Sequence, residues 1–394
     1  MEQMKFEMGD LQQDAPKRVK RKAIPRGKLR ALLLAVFLVL GLVAAFVLLD
    51  RTAFDGLRRS IAYMQADKDE NGCVRLYQYN GDGTSCFADL NGSLLVASNK
   101  EITLLDDKGS TVYHTALQMG QAAVSAEDGF GVVYEIGGKD LYLLDGKGLV
   151  RQMTMEGEIF SVEMGQSGRF AVVLKKNGYK TAVSVYNGKG EPLYDFHSAQ
   201  KYLMTAAVSE NGKYMAAAAM SQDGGSFVSS LQIYKLTSDA LRADAALTGG
   251  VYEIGTVNGA FCAVTDKALC FVKNDGTVST YDYRGGSLSR CGLGGGKFAA
   301  VLLENYSSGG LTHLATVNTA GEEIASLSVE NEVLDLSAAG RYLAVLYSNK
   351  LVIYDRNLQE CSVLEDVSSA RRVLMRSDGS AVMAGTNAAS LYLP

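Results

Sequence analysis

The feature that most constrains this 394-residue chain is a short glycine turn that returns eight times. Asn91-Gly92, Asp128-Gly129, Ser167-Gly168, Asn211-Gly212, Asn258-Gly259, Gly295-Gly296, Ala339-Gly340 and Asp378-Gly379 each precede an apolar strand, with successive glycines 37, 39, 44, 47, 37, 44 and 39 residues apart. Glycine accepts positive φ without steric cost, so each motif predicts a hairpin. The strand after the turn, such as Phe170-Ala171-Val172-Val173-Leu174, leads to a second, such as Leu231-Gln232-Ile233-Tyr234 or Leu269-Cys270-Phe271-Val272. Several second strands end in hydrophilic turns such as Asp145-Gly146-Lys147-Gly148. The clearest copy runs from 334 to 355.

These middle strands are apolar at consecutive positions. A sheet with one wet face alternates apolar and polar residues; a hairpin buried on both faces needs a neighbour on each side. Four strands every 40 residues or so, packed side by side, is the period of a β-propeller. The last copy supplies Val373-Leu374-Met375, Ala381-Val382-Met383 and Ser390-Leu391-Tyr392-Leu393, one strand short of a blade. The strand at 73–79 has no blade of its own. Pairing the two closes the ring and removes two open sheet edges. The sequence therefore predicts an all-β, eight-bladed propeller over 73–394, or seven blades if the irregular stretch 292–310 is not a full one. Forty-two glycines against four prolines suit such a turn-rich ordered fold.

The N-terminal residues differ in kind. Residues 1–30 carry nine Lys/Arg and four Asp/Glu without apolar periodicity, which predicts a disordered basic tail. Residues 31–49 hold no charged or polar side chain, long enough to cross a hydrocarbon core of about 30 Å as one transmembrane helix. The basic excess before the span places the N-terminus in the cytoplasm and the remainder outside. Residues 50–72 read as a stalk, with Phe54, Leu57, Ile61 and Met64 at the spacing of a short amphipathic helix. The remaining 30 basic and 39 acidic residues make the bulk of the chain acidic, which argues against nucleic acid as a partner.

Candidate chemistry is sparse. Residues 67–72 match the opening of a calcium loop, but its twelfth position is Gln78 rather than a bidentate Glu, so a solvated turn is expected. His114, His197 and His313 lie on different predicted blades without metal-ligand spacing. Gly292-Leu293-Gly294-Gly295-Gly296-Lys297 approaches a phosphate-binding loop but lacks its first glycine and the hydroxyl after the lysine, and reads as a flexible turn. Gly165-Gln166-Ser167-Gly168 is one residue short of a nucleophile elbow. Residues 221–227 are similar to the Asp-box turn of sialidase-like propellers in a single imperfect copy, and read as a long loop. Glu163 and Asp335 fall in innermost strands, where they are expected to line the channel. Cys262 and Cys270 flank Asp266 symmetrically, a spacing that lets them face each other, as the closing blade lets Cys73 and Cys86; the alternative for all six cysteines, Cys291 and Cys361 included, is buried reduced thiols. No catalytic, cofactor-binding or metal-binding residue is assigned.

The strand and turn from Leu141 to Gly148 resembles the motif of pyrroloquinoline-quinone propellers, although the chain has no tryptophan. The repeats also resemble those of WD-repeat propellers without their Gly-His and Trp-Asp pairs. The layout of basic tail, single span and propeller looks like that of an uncharacterised family of membrane-anchored propellers from Gram-positive bacteria. The missing enzyme motifs and the anchored layout favour an extracytoplasmic scaffold at the cell envelope that binds an envelope protein, a wall component or another ligand. The alternatives are a propeller enzyme, a lyase or hydrolase working at the central channel, and a sensor ectodomain.

Overall fold

The computed structural model describes residues 68–394 apart from 224, 239, 306–310 and 368, together with 37, 38, 41, 55, 56, 59, 63 and 64. The chain divides into two compact units, Met1–Leu57 and Arg58–Pro394. In the first, Phe37, Leu38, Gly41, Asp55 and Gly56 are helical. The rest of the expected span at 31–49 lies outside the described residues, as do the basic tail and the stalk residues Phe54, Leu57 and Ile61. Among the described residues no helix is long and apolar enough to cross a membrane.

The second unit is a ring of eight four-stranded antiparallel sheets. Blades 1 to 7 span 86–116, 122–154, 159–198, 202–247, 251–282, 287–329 and 333–365, each running from its innermost strand outward. Blade 8 joins Arg372–Met375, Ala381–Ala384 and Ala388–Tyr392 to the N-terminal strand Cys73–Gln78, which pairs with Ala388–Tyr392 from Cys73↔Tyr392 to Gln78↔Ala388. The closure expected from the orphan strand is the closure observed. The described part of the irregular stretch, 292–305, belongs to a full blade, so the count is eight.

The eight turns show why their glycines recur. Seven of the turn glycines take positive φ, from +59° at Gly340 to +106° at Gly92. Asn91, Asp128 and Asn258 also take positive φ, giving two-residue turns whose twist matches the strands they join. Gly296 is the exception. Its loop is longer, and its N–H bonds Gly340 O at 2.5 Å on the next blade. A Cβ on Gly294 would lie 2.2 Å from Ala338 O. The stretch read as a flexible phosphate-loop likeness is instead a packed turn that needs glycine for close backbone approach.

The core is divided among the blade seams. In Phe170–Leu174, Phe170, Val172 and Leu174 pack toward blade 2, while Ala171 and Val173 pack toward blade 4. Period-two alternation sends successive side chains to opposite seams, so a strand apolar at every position fills two cores at once. Eight such clusters occupy the eight seams. The outermost strands of blades 1 and 2, Thr111–Ala116 and Gly148–Thr154, have no outer neighbour and are largely exposed.

Candidate functional site: the acidic channel mouth

Residues in or beside the glycine turns of all eight blades converge on one mouth of the central channel and line a cavity of about 940 Å³. Its width follows from small residues. Register shifts put a bulge at Phe160, Met204, Tyr252, Ser289 and Leu334 in the innermost strands of blades 3 to 7. Three residues beyond each bulge stand Glu163, Ala207, Gly255, Gly292 and Ser337. Glu163 is the one large side chain in that row. A Cβ on Gly255 or Gly292 would come within 2.8 Å of Leu293 or Leu336.

Charge is uneven around the cavity. Asp89, Glu127, Asp128, Glu163, Glu210, Glu253 and Asp378 line it, against one cation among the described residues, Arg376. Several of these carboxylates stitch neighbouring parts together. Asp128 accepts Ser167 N–H at 3.0 Å on the next blade, and Glu210 accepts Gly259 N–H at 2.9 Å. Asp89 accepts Gly92 N–H at 3.2 Å and pairs with Arg376.

Glu127, Glu163 and Glu253 have no cationic partner among the described residues. Glu163, half-buried, is raised well above the ordinary carboxylate value by desolvation, with Glu253 and Glu127 adding to the rise. Glu253 is raised by desolvation despite a 3.6 Å contact from the Cys291 thiol. Glu127 is raised by desolvation and by Asp128 and Glu210. Desolvation, joined at Glu127 and Glu163 by neighbouring carboxylates, penalises the ionised form, and an incoming cation would relieve the penalty.

Arg376 holds the seam where the ring closes. It is 8% exposed. It donates to Asp89 Oδ1 at 2.8 Å, Tyr63 OH at 3.2 Å, Tyr77 OH at 3.3 Å and Gly92 O at 3.2 Å. Burial opposes its charge, but Asp89 and the two tyrosines keep its pKa above the usual arginine value. Arg59 donates to Asp378 O at 2.7 Å and Pro394 O at 3.1 Å. Residues 59 and 63, expected in a stalk, thus dock on the propeller at the channel mouth, whereas Met64 is 78% exposed.

The other sequence candidates disperse. His114 bonds Glu101 at 3.2 Å, His197 packs on Tyr179 at 4.8 Å between ring centroids, and His313 lies 3.7 Å from Glu323, on three separate blades. Asp69 spends Oδ1 on the amides of Asn71 and Cys73, forming a turn into the closing strand; Asp67 lies outside the described residues. Among the described residues no group of three or more His, Cys, Asp or Glu is placed to hold a metal ion. Ser167 sits in a 3-10 turn with φ +60° and is exposed. The expectation for Asp335 is corrected: it is in an innermost strand but accepts Val373 N–H at 2.9 Å and lies 3.5 Å from Arg372, clamping blade 7 to blade 8.

The cysteine pairings are also corrected. Cys262 pairs with Phe271 and Ala263 with Cys270, so the hairpin is centred between Asp266 and Lys267. That half-residue displacement puts Cys262 and Cys270 on opposite sheet faces, in different seams. Cys73 packs in the seam of blades 7 and 8, while Cys86 Sγ approaches Ala122 O of blade 2 at 3.7 Å. All six cysteines are free thiols. Sequence reading missed Arg376, Asp89, Glu127, Glu210 and Glu253. The signal for Glu253 was a charge inside an otherwise apolar innermost strand, the same signal that marked Glu163.

Residues 71–361 match the model of DUF5711, a family of unknown function. No curated protein is similar to the chain in sequence. Solved structures share its fold at low identity. The C-terminal WD40 domain of Sif2 is 11% identical, with a TM-score of 0.56 over 82% of this chain and 98% of that one. A eukaryotic initiation factor is 12% identical, with 0.52 over 80% and 88%. The dihydro-heme d1 dehydrogenase NirN, solved in complex with DHE, is 14% identical, with 0.51 over 77% and 75%.

Proposed function

The chain belongs to DUF5711, and from the geometry of its channel mouth we propose that it is an interaction scaffold whose acidic mouth receives a basic segment of a partner protein. The observation that carries this reading is the trio Glu127, Glu163 and Glu253, which line one cavity and have no cationic partner among the described residues. Turns from eight blades surround them, so a bound segment is gripped from all sides while the rigid ring stays still. Carboxylates already held in place pay little ordering entropy on binding. In this reading the run at 31–49 anchors the protein, the basic tail at 1–30 is cytoplasmic, and the propeller stands outside at the cell envelope.

The binding test uses an oligolysine peptide and a neutral peptide of equal length, followed by fluorescence anisotropy at low and high salt. The parent should prefer oligolysine, and the triple variant Glu127→Gln/Glu163→Gln/Glu253→Gln should lose roughly tenfold or more in affinity, about 1.4 kcal/mol. Equal binding by parent and variant sinks the assignment of the mouth. Placement is tested by adding protease to intact cells: cleavage within 73–394 supports it, and full protection that persists after wall removal refutes it.

A further inference from the structure

Blade 4 departs from the other blades in length. Its second and third strands, Tyr214–Asp223 and Ser226–Lys235, hold ten residues each, against four to seven in the corresponding strands elsewhere. The innermost strand of the blade pairs only as far as Met220, and the outermost only as far as Ser229. Beyond those points Ser221↔Val228, Gln222↔Phe227 and Asp223↔Ser226 pair with each other alone. The described residues of the stretch read as a long loop therefore belong to the tip of a protruding β-ribbon. Its outward N–H and C=O groups have no backbone partner among the described residues on either edge.

The tip is also apolar where it could have been protected. Phe227 is 77% exposed and Val228 41%. Proteins blunt free strand edges with lysine or proline, and residues 220–230 contain neither. The bulge residues Phe160, Met204 and Tyr252, on consecutive blades at the same end of the ring, are 41%, 45% and 67% exposed. An unpaired edge beside uncovered apolar side chains is the arrangement that accepts an added strand.

Resting on the scaffold reading but on the opposite end of the ring, we propose that this ribbon tip docks an extended segment of a partner protein. The segment adds to the 226–228 edge and lays apolar side chains on Phe227. Charge argues against other occupants. Four lysines of this sector are paired, Lys175 with Glu158, Lys176 with Glu156, Lys201 with Asp244 and Lys267 with Asp266, and Lys180 lies on the hydroxyl and ring of Tyr202, so the basic field offered to an anionic lipid surface is weak. The acidic excess of residues 31–394 opposes a second copy.

The test places a photoreactive benzoyl-phenylalanine at position 227, and separately at 228 and 258, in the full chain in its own cells. Positions 227 and 228 should both crosslink to one contiguous stretch of one protein with apolar residues at alternate positions. A synthetic peptide of that stretch should slow hydrogen exchange of the 226–228 amides by roughly tenfold or more when bound. Phe227→Ser should lower the peptide's affinity by roughly tenfold or more without moving the melting temperature, because the ring is mostly in solvent. Adducts with a second copy, with lipid, with many unrelated proteins or with nothing overturn the proposal, as does equal peptide binding by Phe227→Ser. Adducts at 258 without any at 227 or 228 overturn this proposal alone and leave the acidic mouth standing.

Discussion

Replacing Arg376 with methionine tests the idea that a single buried charge locks the ring. The substitution keeps much of the aliphatic volume and removes the donors to Asp89, Tyr63, Tyr77 and Gly92 O. Asp89, whose side chain is 17% exposed, is left with one backbone amide and no counter-charge. Orphaning one member of a buried ion pair costs about 3–5 kcal/mol, and the retained Gly92 amide places Arg376→Met near about 3 kcal/mol. Asp89→Leu combined with Arg376→Met removes both charges and should cost less than the two single changes together, by about 2 kcal/mol. Urea unfolding followed by far-ultraviolet circular dichroism measures the sum, since the chain has no tryptophan to report on it. Hydrogen exchange then locates it. The loss should appear first in Cys73–Gln78 and blade 8, which meet blade 1 at this seam, and last in blades 4 and 5 across the ring. A cost under about 1 kcal/mol, additive single changes, or exchange that accelerates equally in every blade would refute the reasoning.

The other predictions concern the channel and the thiols. Because the Glu163 pKa is raised on folding, the native state keeps that proton to higher pH than the unfolded chain, so the group subtracts stability as pH rises from its ordinary value of 4.5 through its folded value. Glu163→Gln should therefore melt higher than the parent at pH 8 and alongside it at pH 4; a parent that melts higher at pH 8 contradicts the assigned environment. Alkylation should modify the exposed Cys361 in the folded protein and reach Cys262 and Cys270, both fully buried, only on unfolding. A Cys262–Cys270 disulfide in the oxidised, folded protein would contradict their placement on opposite faces.

The architecture was readable from the chain because what encodes it is local. A glycine turn accepts positive φ, which seven of the eight use, and a strand apolar at every position demands two neighbours, so eight turns pointed to eight seams, with seven open as the alternative. The unpaired strand at 73–79 and the missing strand of the last copy together implied closure, and Cys73↔Tyr392 is that closure. The same local reading failed where half a residue mattered, as in the hairpin between Cys262 and Cys270, because strand register inverts every side chain when it slips by one. It also failed on residues 221–227, since nothing nearby distinguishes a long loop from strands that outrun their neighbours.

The channel mouth belongs to the ring rather than to any stretch of sequence. Asp89 and Arg376 stand 287 positions apart, and Glu127, Glu163 and Glu253 sit on three blades. Glu163 was recognisable as a charge in an innermost strand, but its raised pKa depends first on burial within the ring and then on Glu253 and Glu127, brought near by closure. Short-range sterics and side-chain alternation fixed the blades from the sequence; only wrapping them into a circle decided which charges share a cavity, because that distance is set by curvature summed over eight sheets.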